Sequence, residues 1–164
     1  MKQQYRGRHP EVYYESKAGQ LFREGKISEA LTQYFNAVYA SPDSGIDPLI
    51  LVGLQTCIEA VEDEEKRLKF FGMAIEACGK DESWFYLVRG DFYAEKGEYE
   101  NAMSDFNAAS KIDPDSYWLH ASLADLYKKT GRVYESLKEM VTAQEQSAKL
   151  TDFGFISPRM NMEN

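Results

Sequence analysis

The sequence predicts an all-α protein, built as a solenoid of about four stacked helix-turn-helix units. Three segments of the 164-residue chain align with one another, and each carries a glycine between two runs of helically spaced apolar residues. Gly97 and Gly131 lie 34 residues apart, and Gly25 precedes Gly97 by two such periods plus four residues. A degenerate unit must therefore lie between the first two glycines. The predicted units are 11–47, 48–82, 83–116 and 117–150.

Each unit has the same predicted order of a helix, a short turn and a second helix. Glycine at the turn favours the left-handed backbone that ends the first helix. Pro42 and Pro114 end the second helix, because proline lacks an N–H donor and disfavours helix in the residue before it. Small residues recur where two helices would approach, and bulkier residues alternate with them: Gly90, Ala102, Ala109, Ala124 and Ala143, with Tyr93, Phe106, Tyr127 and Met140. Since neither helix buries its apolar stripe alone, stacked pairs are expected to share one core.

The second unit is the most divergent. Its apolar residues from Leu51 to Ile75 keep helical spacing, but its turn is the acidic run Glu62–Glu65 instead of a glycine. We expect this run to start a helix, because carboxylates near a helix N-terminus oppose the helix dipole.

Two short segments flank the predicted repeats. Residues 1–10 form a basic N-terminal tip, and residues 151–164 form a tail that contains apolar Phe153, Phe155 and Ile156. A solenoid needs a cap with a polar outer face at its end. The tail is therefore expected either to fold back over the last helix or to dock on a partner.

Composition and charge exclude several classes of protein. The chain carries 27 acidic and 19 basic residues, a net charge of −8, which is a poor match for a nucleic-acid backbone. It has two cysteines, too few for a disulfide framework, and no apolar run of about 18 residues that would span a membrane. The N-terminus lacks the apolar stretch of a secretory signal. We therefore expect a cytoplasmic location and no nucleic-acid partner.

The order of small, aromatic and glycine residues resembles the tetratricopeptide repeat (TPR). The third unit carries this pattern at Gly90, Tyr93, Gly97, Tyr99, Ala102, Phe106, Ala109 and Pro114. The fourth unit departs from it at Ser136, where alanine is usual, and at Ala148, where proline is usual. The resemblance implies a right-handed superhelix of antiparallel helix pairs. It further implies a concave groove, lined mainly by the first helix of each pair, that binds peptides or helices of other proteins.

Position counting along the first helices then predicts a groove that is both apolar and acidic. Trp84 and Trp118 recur at one repeat position, and Asp91 and Asp125 recur at another. Such a surface would bind an amphipathic segment with basic residues, since aromatic anchors supply affinity and charges steer and select. Packing of the tryptophans between repeats is the alternative. The predicted groove residues are Glu15, Phe22, Thr56, Glu59, Trp84, Leu87, Asp91, Glu95, Trp118 and Asp125.

These observations predict a non-catalytic protein-interaction module, such as an adaptor, assembly factor or scaffold. A secretion-type chaperone for unfolded export clients and a permanent structural subunit of a larger complex are the alternatives. Self-association through the terminal repeats is left open.

Signals for an enzyme are weak. The chain has two histidines, His9 and His120, and no metal-binding motif or phosphate loop. We place His120 in helix packing and Cys57 and Cys78 among buried small apolar residues. We therefore predict no catalytic residue, no metal and no cofactor. The groove positions also lack the Lys/Asn/Arg clamp with which some TPR domains bind chaperone C-termini, and an acidic groove argues against RNA.

Overall fold

A computed structural model of the protein describes residues 9–42, 45–79 and 82–152. Within these ranges the chain forms eight α-helices and no strand, so the predicted all-α class is confirmed. The helices are α1 (Pro10–Arg23), α2 (Ile27–Ala40), α3 (Pro48–Glu59), α4 (Glu64–Cys78), α5 (Trp84–Glu95), α6 (Tyr99–Ile112), α7 (Tyr117–Lys129) and α8 (Val133–Asp152). Each predicted unit holds one helix pair, although α1 begins one residue before the first unit and α8 runs two residues past the last. The basic tip up to residue 8 and the tail from residue 153 lie outside the described residues.

The three turn glycines adopt the conformation that the sequence predicts. Gly25, Gly97 and Gly131 have φ values of 75°, 77° and 75°. The residue after each glycine donates its N–H to the carbonyl five positions earlier, at 2.9, 2.9 and 2.8 Å. This is the Schellman arrangement, which satisfies carbonyl groups left free at a helix end.

The acidic run begins a helix, as predicted. Asp63 caps α4 by accepting a hydrogen bond from the backbone N–H of Lys66 at 3.0 Å, and Glu64 and Glu65 occupy the first turn. Arg67 reaches back to donate to the carbonyl of Val61 at 3.0 and 2.6 Å. In this unit, side-chain hydrogen bonds thus satisfy an N–H at the start of α4 and the carbonyl of Val61 in the turn between α3 and α4.

The four predicted repeats group into two larger compact units. These are called the first unit (Met1–Phe85) and the second unit (Tyr86–Asn164). In the first unit α2 packs against α1 and α3. Gly53 on α3 lies against the ring of Tyr34, and a Cβ at position 53 would overlap that ring. The small positions of this unit are fully buried: Ala18, Ala30, Ala37 and Ala74 are all 0% exposed.

In the second unit, small residues also allow close helix packing. A Cβ on Gly90 of α5 would lie 2.5 Å from the ring of Phe106 on α6, which is 1% exposed. Arg89 binds the buried Asp105 through two hydrogen bonds of 2.8 and 2.7 Å, which joins the same two helices. Ser136 occupies its small position with its hydroxyl satisfied, donating to the carbonyl of Ala124 at 2.8 Å.

Met140 departs from the prediction. The sequence places it between packed helices, but 56% of it is exposed. The physical reason is its position on α8, the last described helix, on which no further described helix packs. Phe106, at the equivalent position of α6, is buried because α7 covers it.

Candidate functional site

The second unit carries a cluster of charged side chains on α5 and α7, the first helices of its two pairs. We call this cluster the acidic face, and it consists of Asp91, Glu95, Ser122, Asp125 and Lys129. Asp91 and Glu95 are one helical turn apart on α5, and the other three share one face of α7. Ser122 Oγ donates to Asp91 Oδ2 at 3.1 Å, and Lys129 Nζ pairs with Asp125 Oδ2 at 2.6 Å. Three carboxylates therefore share one ammonium group.

The carboxyl group of Asp91 is electrostatically perturbed. By accessible area its side chain is exposed, yet protein atoms crowd the carboxyl and displace hydration water. This desolvation is the main reason that the pKa of Asp91 rises to about 6, and the nearby charges of Asp125 and Glu95 raise it further. The Ser122 hydroxyl and Lys129 act in the opposite direction. The site thus holds excess negative charge that its own residues do not neutralise.

An exposed aromatic side chain lies on the same stripe of α7. Trp118 is 54% exposed and packs edge-to-face on Tyr117, with ring centroids 5.0 Å apart. Its helical spacing to Ser122, Asp125 and Lys129 places all four on one face. The sequence left the role of this tryptophan open, and the structure leaves more than half of it accessible.

Trp84 is placed differently. It is half-buried, and its indole N–H donates to Gln55 Oε1 on α3 at 3.0 Å. The amide of Gln55 in turn donates to Glu59 Oε1 at 2.8 Å, and Thr56 beside it is exposed. A hydrogen-bonded row from Trp84 through Gln55 to Glu59 therefore runs along α3.

A cavity of about 530 Å³ opens between α1 and α3 in the first unit. Its apolar lining includes Val12 and Leu49, which are 55% and 69% exposed. Glu11 and Glu15 line the same cavity from α1, and Asp47 lines it from the N-terminus of α3. Apolar surface and carboxylates are therefore combined in the first unit as well.

Four of the predicted groove residues are not fully exposed, since Glu15, like Trp84, is half-buried. Leu87 is 3% exposed in a core cluster with Phe106 and Leu119, so it is left out of the site proposed below. Phe22 on α1 is half-buried.

Sequence reasoning missed two partners within these sites, Ser122 for Asp91 and Gln55 for Trp84. They lie 31 and 29 residues away from the side chains that they bind. The signal that could have found them is the repeat itself, because side chains slightly less than one period apart meet across adjacent first helices.

The groups most typical of catalysis are held in structural roles. Burial raises the pKa of both the Cys57 and the Cys78 thiol to about 12, which suppresses the reactive thiolate. His120 bridges α7 to its neighbours, with Nδ1 2.6 Å from Glu139 Oε2 and Nε2 3.1 Å from the carbonyl oxygen of Pro114. The described residues contain no group of three side chains suited to hold a metal ion. None of the helices described is long and apolar enough to cross a membrane.

Comparison with known proteins relates part of this chain to the TPR repeat. A family model for the TPR repeat matches residues 90–131. Human Superkiller complex protein 3 is 29% identical over 86 residues, and the matched part is 52% of this chain but only 6% of the human protein. A thermophilic TPR protein of Thermus thermophilus is 21% identical, with a TM-score of 0.46 over 88% of this chain and 95% of its own. The structure titled MamA MSR-1 C2 is 14% identical, with a TM-score of 0.42 over 85% and 97%.

Residues 90–131, about a quarter of the chain, match the tetratricopeptide repeat. The family match runs from α5 through the glycine turn and α6 to the end of α7, and helix pairs of the same construction lie on both sides of it. Proteins of this class are protein-interaction modules and are generally non-catalytic.

Proposed function

We propose that this protein binds a basic, amphipathic segment of another protein on the acidic face of its second unit. The observation that carries this proposal is the exposed Trp118 on one stripe of α7 with three nearby carboxylates that share one ammonium group. The expected ligand presents apolar side chains to Trp118 and a lysine or arginine to Asp91.

Charge supports a cationic ligand. Lys129 is already bonded to Asp125 at 2.6 Å, so Asp91 and Glu95 keep negative charge that a partner can neutralise. Arginine suits this role best, since its planar guanidinium donates two parallel hydrogen bonds to a carboxylate. A bound cation would lower the pKa of Asp91, so binding should strengthen as the pH rises through about 6.

The first unit supports the same kind of ligand. Val12 and Leu49 offer exposed apolar surface in the α1–α3 cavity, and Glu15 lines it. We include Glu15, Phe22, Thr56, Glu59 and Trp84 as contact residues of this unit. An adaptor, assembly factor or scaffold in the cytoplasm is the role that best fits these two surfaces.

The test uses two synthetic helical peptides, one with lysines opposite leucines and one with glutamates replacing the lysines. Fluorescence anisotropy should detect binding of the lysine peptide only. Asp91→Lys should weaken that binding by roughly tenfold or more, since it places like charge against the ligand. Trp118→Ala should weaken it through lost apolar contact.

Matched controls separate the acidic face from general charge effects. Glu76→Lys changes an exposed carboxylate of the first unit, and Tyr39→Ala removes a tyrosine that is 71% exposed on α2. Both controls should bind the lysine peptide as the wild type does. Equal binding of both peptides, or unchanged binding by folded Asp91→Lys and Trp118→Ala variants, would overturn the proposal.

A permanent subunit of a larger assembly is the second candidate. It is favoured by the likeness to a human protein whose name places it in a complex. Purification from the source organism would decide between the two, because a permanent subunit should co-migrate with a stoichiometric partner at high dilution and in high salt.

A further inference from the structure

A cleft of about 480 Å³ lies between α7 and α8. Its lining includes Ala121, Ala124 and Asp125 from α7, and Met140 and Ala143 from α8. The alanine side chains are short, so they leave space between the two helices. We call this space the α7–α8 cleft. It meets the acidic face at Asp125, so its shape bears on the ligand proposed above.

One period earlier, the protein covers the equivalent surface with a helix of its own. The residues 34 positions before Ala121, Met140 and Ala143 are no more than 3% exposed, and they are Leu87, Phe106 and Ala109. The helix that covers them is α7, which contributes three leucines to their core cluster: Leu119, Leu123 and Leu126. Asp91, the counterpart of Asp125, accepts a hydrogen bond from Ser122 of α7 at 3.1 Å. The molecule thus shows what kind of element this surface accommodates.

We infer that the α7–α8 cleft binds one amphipathic helix of another protein, packed as α7 packs on α5 and α6. The three leucines of α7 translate into bulky apolar residues at positions i, i+4 and i+7 of the ligand. Ser122 translates into position i+3, which meets Asp125. This inference rests on the proposed function, because it specifies how the basic amphipathic ligand is held.

Charge at the edge of the cleft selects a basic residue at i+3. The side chain of Asp125 is 55% exposed, and its Oδ2 is bonded to Lys129 at 2.6 Å. A carboxylate accepts several hydrogen bonds, so a donor from the ligand can bind Asp125 as well. Asp91 and Glu95 add negative charge on this side, whereas Lys128 lines the cleft further along α7 and repels a cation there. A lysine or arginine at i+3 matches this distribution.

A second copy of this chain does not supply such a helix at its terminal repeat. The residues of α1 equivalent to the three leucines of α7 are Tyr13, Lys17 and Gln20, of which the last two are exposed. The outer face of α1 is therefore too polar to fill the cleft. Residues 153–164 do not supply it either, since no position there begins a set of apolar residues at i, i+4 and i+7. A helix of another protein is left as the occupant.

Fluorescence anisotropy with two synthetic helical peptides of equal composition tests the pattern. Both peptides carry leucine at i, i+4 and i+7. The first has its single lysine at i+3, and the second has it at i+8, equally far from the leucine stripe on the opposite flank. The first peptide should bind the full chain roughly tenfold more tightly, because only its lysine reaches Asp125.

Two variants of α8 test whether the cleft holds the leucines. Met140→Glu should weaken binding of the first peptide by roughly tenfold or more, since the bound helix would bury the new carboxylate. The free protein should tolerate this change, because Met140 is 56% exposed. Tyr134→Glu makes the same charge change at a residue of α8 that is 79% exposed and lies outside the cleft lining, so it should bind as the wild type does. Circular dichroism verifies the fold of both variants.

A charge exchange tests the contact with Asp125. Asp125→Lys should weaken binding of the first peptide, because two cations then meet. A third peptide, with glutamate at i+3, should bind Asp125→Lys more tightly than it binds the wild type.

The outcomes separate this inference from the proposed function. Equal affinity of the first two peptides, or unchanged binding by folded Met140→Glu, would overturn the inference alone, provided that the lysine peptide of the preceding test still binds in preference to its glutamate counterpart. Loss of that preference would refute both. Dimerisation of the full chain that Met140→Glu abolishes would make a second copy the occupant. Truncation at residue 152 that tightens peptide binding tenfold would assign the cleft to the tail.

Discussion

Replacing Asp91 with asparagine should stabilise the fold while weakening ligand binding. In the folded protein desolvation and the carboxylates of Asp125 and Glu95 raise the pKa of Asp91 from its usual 3.8 to about 6. At neutral pH the side chain is still mostly ionised, so the folded protein carries the free-energy cost of holding that charge. Asparagine removes the charge but keeps an oxygen that accepts the hydrogen bond from Ser122.

The expected change in the free energy of unfolding follows from the pKa shift of Asp91. At about 1.4 kcal/mol per pKa unit, a rise from 3.8 to about 6 corresponds to at most about 3 kcal/mol. Asp91 is exposed, and solvent screening reduces this figure to about 1 kcal/mol. Because the folded state binds the proton more tightly than the unfolded chain, wild-type stability falls as the pH rises from about 4 to about 6. Above about pH 6 the full penalty is present.

Urea unfolding at several pH values between 4 and 8, followed by circular dichroism, measures this effect. At pH 8 Asp91→Asn should exceed the wild type in stability by about 1 kcal/mol, and at pH 4 the two should be equal. Glu76→Gln, which changes an exposed carboxylate of α4, should match the wild type at both pH values. Reduced stability of Asp91→Asn at pH 8, or an unchanged pH dependence, would show that the acidic face is not electrostatically strained.

Two further predictions concern the packing of α5 on α6. Gly90→Ala should destabilise the protein by about 1–3 kcal/mol in thermal or urea unfolding, since its Cβ would lie 2.5 Å from the buried Phe106 ring. Gly19→Ala, whose Cβ would meet no atom closer than 3.6 Å, should be neutral or slightly stabilising, and equal behaviour of the two variants would contradict this packing. Arg89→Met should cost about 3–5 kcal/mol because it leaves Asp105 buried without its cation, and adding Asp105→Leu should recover most of that loss. A double variant no more stable than Arg89→Met would show that the ion pair itself, and not the orphaned charge, sets the cost.

Much of the fold could be predicted from the sequence, because the signals for helix ends and turns are local. A glycine at each turn, followed by a helix start, depends on backbone sterics within a few residues, and Gly25, Gly97 and Gly131 all adopt the expected positive φ. Asp63 caps α4 for the same kind of local reason. The 34-residue period then extends this local information along the chain.

Candidate site residues were harder to predict, since a position on a helix face does not reveal which atoms cover that face. Leu87 and Asp91 are one turn apart on α5, yet Leu87 is 3% exposed and Asp91 remains accessible. Trp84 and Trp118 hold one repeat position, but the first bonds to Gln55 and the second is 54% exposed. The neighbouring helix, which differs from one repeat to the next, decides these outcomes.

The sequence by itself determined the helix pairs, their turns, the small residues between them and the acidic character of the chain. The helix pairs, turns and small positions follow from short-range backbone preferences and from the repeat period, and the acidic character follows from composition. Only the tertiary structure decided that Met140 is exposed where Phe106 is buried, and that Asp91 shares its surroundings with Asp125 and Glu95. The physical reason is that burial and pKa depend on the atoms that surround a side chain. In a repeat protein those atoms come from the adjacent unit, about one period away in sequence.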